Sequence, residues 1–126
     1  MTRSQAYRET AAFQGVGLTP AQFHILLTLA EGKRHGYGIM QEIERRTHGA
    51  VELGPGTLYR SIKQLLDRGF IAEVEEAEGT GSDAGKQRRS YTLTPEGKVR
   101  TVEEAQRLRS LVRWAEDLLI LEGGRS

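Results

Sequence analysis

The seventeen residues from Leu53 to Gly69 constrain this chain more than any other segment. Gly54-Pro55 opens a helix, because proline pre-sets the backbone angle of a first helical position, and Gly69 closes it, because glycine serves best just past a helix end. Leu58, Ile62, Leu65 and Leu66 recur at helical spacing and turn one side toward a core. At about 100° per residue, Arg60 and Lys63 then point away from that core, with Gly56 beside them and Tyr59 on the flank. A buried face opposite a basic one near the helix start is the form in which a helix enters a DNA groove. In isolation the same pattern describes an ordinary amphipathic helix with a solvated basic face, so the flanking elements decide.

Leu18-Thr19-Pro20 starts an earlier helix, with Thr19 as N-cap and Pro20 in the first turn, and Glu31-Gly32 ends it. Phe23, Ile25, Leu26, Leu27, Leu29 and Ala30 cover nearly its whole circumference, which predicts burial on more than one side. Lys33 to Gly38 reads as a loop. A second helix follows to about Thr47 on the stripe Ile39, Met40 and Ile43, and His48-Gly49 stops it. Three short helices joined by tight connections make a helix-turn-helix arrangement.

After Gly69 the period changes to that of a strand: Phe70, Ala72 and Val74 alternate with Ile71, Glu73 and Glu75. Glu76 to Gln87 holds Gly79, Gly81 and Gly85 and reads as a flexible tip. Arg89, Tyr91 and Leu93 return as a second strand. A hairpin placed directly after a helix-turn-helix is a wing. Arg89 falls on the Tyr91 and Leu93 side, where an internal salt bridge is its simplest role. Thr94-Pro95 then begins a last helix running to about Leu121.

The predicted fold is mainly α with a small β-hairpin wing: an arm or short helix at 1–17, a winged helix-turn-helix domain at 18–94, and a C-terminal dimerisation helix at 95–122. The whole chain has 126 residues, 37% hydrophobic and 28% charged, the balance of one globular domain. It contains no cysteine, which excludes disulfides and thiolate chemistry and suits a reducing, cytoplasmic setting. No apolar run approaches the ~18 residues of a membrane span, and no membrane partner is expected. The formal net charge of +1 argues against indiscriminate coating of nucleic acid. Charge is nevertheless uneven, with acidic Glu73, Glu75, Glu76 and Glu78 followed by basic Lys86, Arg88, Arg89, Lys98 and Arg100.

Three stretches together resemble the short form of the PadR family of bacterial transcriptional regulators: His35-Gly36-Tyr37-Gly38-Ile39, Gly56-Thr57-Leu58-Tyr59, and Arg89-Ser90-Tyr91-Thr92-Leu93-Thr94-Pro95-Glu96-Gly97. The resemblance spans residues 18 to 97. It implies a winged helix-turn-helix dimer that represses transcription and releases DNA on a ligand or stress signal. The Gly-rich, acidic wing tip departs from many relatives.

Other chemistry finds little support. Gly79 to Gly85 has the wrong spacing for a dinucleotide loop, and Gly54-Pro55-Gly56-Thr57 lacks the ending of a nucleotide-binding loop. His24, His35 and His48 are scattered without metal-ligand spacing, so neither a metal nor a cofactor is expected. No nucleophile motif assembles, and the chain is not expected to be an enzyme.

The candidate DNA-contacting residues are Thr57, Tyr59, Arg60, Lys63 and Gln64 from the helix, with Lys86 and Arg88 from the wing. Thr57 and Tyr59 suit phosphate; Arg60, Lys63 and Gln64 suit base edges, and Lys63 suits a phosphate nearly as well. The partner is double-stranded DNA carrying a palindromic operator. The alternative is a winged-helix module that binds protein without reading DNA. In the last helix Ala105, Leu108, Val112, Ala115 and Leu119 follow a three-four spacing, widened by Leu111, Leu118 and Leu121; this is expected to be the seam of a homodimer, with packing back on the chain's own first helix as the alternative. Trp114 borders that seam; its simplest role is a packing residue or an exposed aromatic on the helix, and the alternative is that, with Phe23 or Phe13, it stacks on a flat aromatic effector.

Overall fold

A computed structural model of the protein describes residues 17–75 and 89–119. The N-terminal arm, including Phe13, the wing tip with Lys86 and Arg88, and Leu121 lie outside the described residues. Along the chain the elements are α1 (Pro20–Ala30), β1 (Arg34–His35), α2 (Gly36–Arg46), α3 (Pro55–Asp67), β2 (Ile71–Glu75), β3 (Arg89–Leu93) and α4 (Pro95–Leu119).

Local chemistry sets each boundary. The Thr19 hydroxyl accepts from the Gln22 amide at 3.0 Å while the Gln22 side-chain Oε1 accepts from the Thr19 amide at 3.0 Å, a reciprocal capping box. α2 ends with His48 at φ 53° and Gly49 at φ 81°, and α3 ends with Gly69 at φ 76°. At both ends the chain reverses through a left-handed residue: Gly49 N–H bonds to Glu44 O at 2.8 Å, and Phe70 N–H to Leu65 O at 3.0 Å.

The core is one cluster of Ile25, Leu26 and Leu29 from α1, Ile39 and Ile43 from α2, Leu58, Ile62 and Leu65 from α3, and Ile71 and Tyr91 from the sheet. The apolar positions anticipated for α3 are therefore those that are buried, except that Leu66 is only half-buried. α1 corrects its expectation in part. Leu27 is 43% exposed and Ala30 is exposed, because the other elements of the described chain cover one broad side of this helix and not its full circumference.

The segment expected as a loop at Lys33–Gly38 is a second correction. Arg34 and His35 form a short strand paired antiparallel with Tyr91 and Ser90, and α2 begins already at Gly36. The wing is thereby a three-stranded sheet in the order β1-β3-β2 and not a bare hairpin. Ser90, 1% exposed, seals this join through a 3.0 Å hydrogen bond between its hydroxyl and His35 Nδ1.

Candidate nucleic-acid interface

Three helices packed on one core, followed by a small antiparallel sheet, present α3 outward. Its first turn has Gly54 at the N-cap, with no side-chain cap, and Pro55 behind it. Gly56 and Thr57 are exposed, and a Cβ on Gly56 would meet nothing within 4 Å. This leaves amide N–H groups at the positive end of the helix dipole open to an anion.

Arg60 and Lys63 are exposed on the side opposite Leu58, Ile62 and Leu65, as the periodicity requires. Arg60 makes no hydrogen bond or ion pair to the described residues, so its guanidinium is not committed elsewhere. The Lys63 ammonium lies 3.3 Å from Asp67 Oδ2 one turn on, and both side chains are largely in solvent. Such an exposed pair contributes little and gives way readily to a phosphate.

Tyr59 is 49% exposed and rests over the backbone of Gly36, where α2 begins. The His35-Gly36 step thus joins three parts: a strand for the sheet, the start of α2, and a seat for the Tyr59 ring. Gln64 is held on its inner side, where its Oε1 accepts from Gln22 Nε2 at 2.8 Å. Gln22 carries no signal of this in the sequence beyond its place three residues after Thr19, since its partner lies 42 residues away.

On the wing, Arg89 Nε lies 3.1 Å from Glu73 Oε2 across the sheet, the salt bridge expected for it. Burial chiefly raises the Tyr91 phenol above its ordinary value, and it stays neutral in the core. Among the remaining cations, Arg34, Arg45 and Arg46 are engaged by Glu31 and Glu42 on the α1–α2 side. The Arg45 hydrogen bond chiefly holds the Glu42 carboxyl below its usual range. That ion-paired side lies apart from the basic face of α3.

α4 starts by docking on the end of α3. The Thr94 hydroxyl donates to Gly69 O at 2.7 Å and accepts from Gly97 N–H at 2.9 Å, while Thr94 N–H donates to Phe70 O at 3.1 Å. Gly97, Thr101 and Glu104 turn the inward face of α4 onto the domain. Glu104 is buried between Arg100 at 3.5 Å and Arg107 at 2.6 Å. The same face continues through Leu108, Leu111, Val112, Ala115, Leu118 and Leu119, but there the domain has ended. Leu108 is half-buried, and the others, like Ala105, are exposed, Leu119 to 67%. Trp114 is 63% exposed on the flank of this stripe, and Phe23 is half-buried on α1.

A helix-turn-helix whose exposed third helix is followed by a short sheet defines the winged helix class. Solved structures agree with this fold. A transcriptional regulator from Clostridium thermocellum is similar over 85% of this chain and 96% of its own, with TM-score 0.66 and 23% identity. One from Thermoplasma acidophilum, described as a putative transcriptional regulator, is similar over 79% and 89%, with TM-score 0.63 and 26% identity. Bacillus subtilis PadR in complex with operator DNA is similar over 67% of this chain and 45% of its own, with TM-score 0.58 and 26% identity.

Residues 25–103 match the model of the transcriptional regulator PadR-like family, and the chain belongs to that family. Two curated relatives carry no described activity. One is an uncharacterized 37.1 kDa protein in transposon TN4556 of Streptomyces fradiae, 34% identical over 91 residues, which are 72% of this chain and 24% of that protein. The other is an uncharacterized protein X of Lysinibacillus sphaericus, 37% identical over 75 residues, 60% of this chain and 65% of the relative. The chain thus spans about a quarter of the first relative and just under two thirds of the second. Among the described residues no helix is long and apolar enough to cross a membrane.

Proposed function

We propose that this protein is a sequence-selective, DNA-binding repressor that grips a palindromic operator as a homodimer in the cytoplasm. The observation that carries this reading is the exposed face of α3. Arg60 and Lys63 project from it with no strong internal partner, opposite the buried Leu58, Ile62 and Leu65. Thr57 and Tyr59 flank the open helix start and hold phosphate, Arg60 and Gln64 reach base edges, Lys63 reaches a base edge or a phosphate, and Lys86 and Arg88 touch backbone or minor groove from the wing. The operator complex described for Bacillus subtilis PadR supports the same use of the fold here.

The overhanging apolar face of α4 supports the homodimer. Ala105, Leu108, Leu111, Val112, Ala115, Leu118 and Leu119 form a stripe too long for one domain to cover, and a two-fold mate covers it with the same residues. Two α3 helices then enter successive major grooves about one helical turn apart. The exposed Trp114 beside that stripe, with Phe23 from α1, supports an aromatic effector that favours one of two dimer arrangements.

Gel shifts on a selected operator test the reading. Arg60→Ala and Lys63→Ala proteins stay folded and lose about 1–3 kcal/mol of binding, and wild-type affinity falls steeply with salt. Unchanged affinity in both variants, or a salt-independent complex, would favour the protein-binding alternative. Light scattering on the chain lacking residues 104–126 tests the dimer, and a well-folded dimer after that truncation overturns the seam.

A further inference from the structure

We propose that Gln22, buried in α1, fixes the hydrogen-bond polarity of Gln64 on α3, so that Gln64 faces DNA as a donor and selects an operator position presenting a guanine or thymine acceptor. This rests on the recognition-helix reading above. The polarity follows from a backbone atom. The Thr19 N–H can only donate, and it bonds to one end of the Gln22 amide at 3.0 Å, so that end is Oε1. Arg68 Nη1, which also can only donate, approaches the same oxygen at 3.4 Å.

The other end of the Gln22 amide is therefore Nε2, and its 2.8 Å partner on Gln64 must be an acceptor, Oε1. Gln22 is 4% exposed, so the direction of this relay is set inside the protein. Gln64 itself is exposed, and its planar amide, with Oε1 committed inward, leaves Nε2 as the end available outside. Turning Oε1 toward a base would leave the buried Gln22 donor unpaired. The paired acceptor-and-donor contact that glutamine makes with adenine is thereby disfavoured, and the O6 or N7 of guanine and the O4 of thymine are suited.

The decisive variant is Gln22→Glu. Glutamate serves the same capping box, so α1 keeps its start. One carboxylate oxygen keeps the Thr19 N–H and Arg68, and the other can only accept, which turns the Gln64 amide over and sends Oε1 outward. Wild-type and Gln22→Glu proteins are each used to select duplexes from a randomised pool. One operator position in each half-site is expected to pass from guanine or thymine to cytosine or adenine, with preference changing about tenfold. Identical base profiles, or a uniform loss of affinity as for a phosphate contact, overturn the proposal.

Side-chain amide NMR on the free proteins checks the polarity without DNA. The Gln64 NH2 exchanges freely in wild type and becomes protected in Gln22→Glu; protection already present in wild type overturns the relay. If wild type enriches no sequence at all, the DNA reading and the base preference both fall, while the amide spectra still decide the polarity.

Discussion

Gly36 and Tyr59 share one small space: a Cβ added to Gly36 would stand 2.5 Å from the Tyr59 hydroxyl and 3.0 Å from its ring. The start of α2 is thus the bed on which a side chain of α3 lies. Gly36 is an ordinary helical position in conformation, with no positive φ, so closeness and not backbone freedom requires glycine there.

Gly36→Ala is expected to displace the Tyr59 ring while leaving the core intact, because the obstructing atoms are the far end of a half-exposed side chain. Operator affinity falls about threefold to tenfold, the effect of losing a single positioned contact. Tyr59→Ala causes a similar loss, and adding Gly36→Ala to it costs nothing more. Independent, additive losses in a gel-shift double-mutant cycle would show that the two residues act separately.

A Cβ at Gly97 would collide with the carbonyl oxygen of Phe70, and this obstacle is backbone. Gly97→Ala must therefore push the start of α4 off the turn that ends α3. A loss of about 3 kcal/mol in folding stability is expected, read from the urea midpoint. Gly56→Ala, where open space receives the methyl, is the control and should fold at least as well.

Acid should weaken the fold through Glu104. The Arg107 hydrogen bond chiefly, with the charges of Arg107 and Arg100, holds its carboxyl below its ordinary value of 4.5 despite burial. The folded state thus binds this proton less readily than the unfolded chain does. The ion-pair contribution is complete above about 4.5 and disappears as pH falls through the lower folded value. Glu104→Gln should be less stable than wild type at pH 6, and the gap should shrink in denaturant titrations as pH falls below about 4.5. A gap that persists unchanged at the acid end would assign the role to packing alone.

Much of this architecture was legible because long elements advertise themselves. Leu58, Ile62 and Leu65 repeat at helical spacing, and Thr19-Pro20 and Thr94-Pro95 mark helix starts, so α1, α3 and α4 appear where expected. β1 did not, since Arg34–His35 is two residues long and cannot show an alternation. Its strand character comes from β3, more than fifty residues away in sequence. The Gln22–Gln64 bond was hidden for the same reason: local pattern reveals a cap but not a distant partner. On α4 the stripe could be read, whereas the point at which its own domain stops covering it could not.

The join between α3 and α4 contains no spare length. Gly69 and Phe70, which end one helix, are the residues that Thr94 and Gly97 grip to begin the other. A helix rises 1.5 Å per residue, so the exposed stripe around Ala115 sits about 27 Å along a stiff rod from that grip. Tilting the rod by about 5° about its far portion would carry the reading face sideways by more than 2 Å, by the same geometry. That is a large fraction of the rise between stacked base pairs, so in the homodimer proposed above two such heads would act as calipers whose setting is decided far from the jaws.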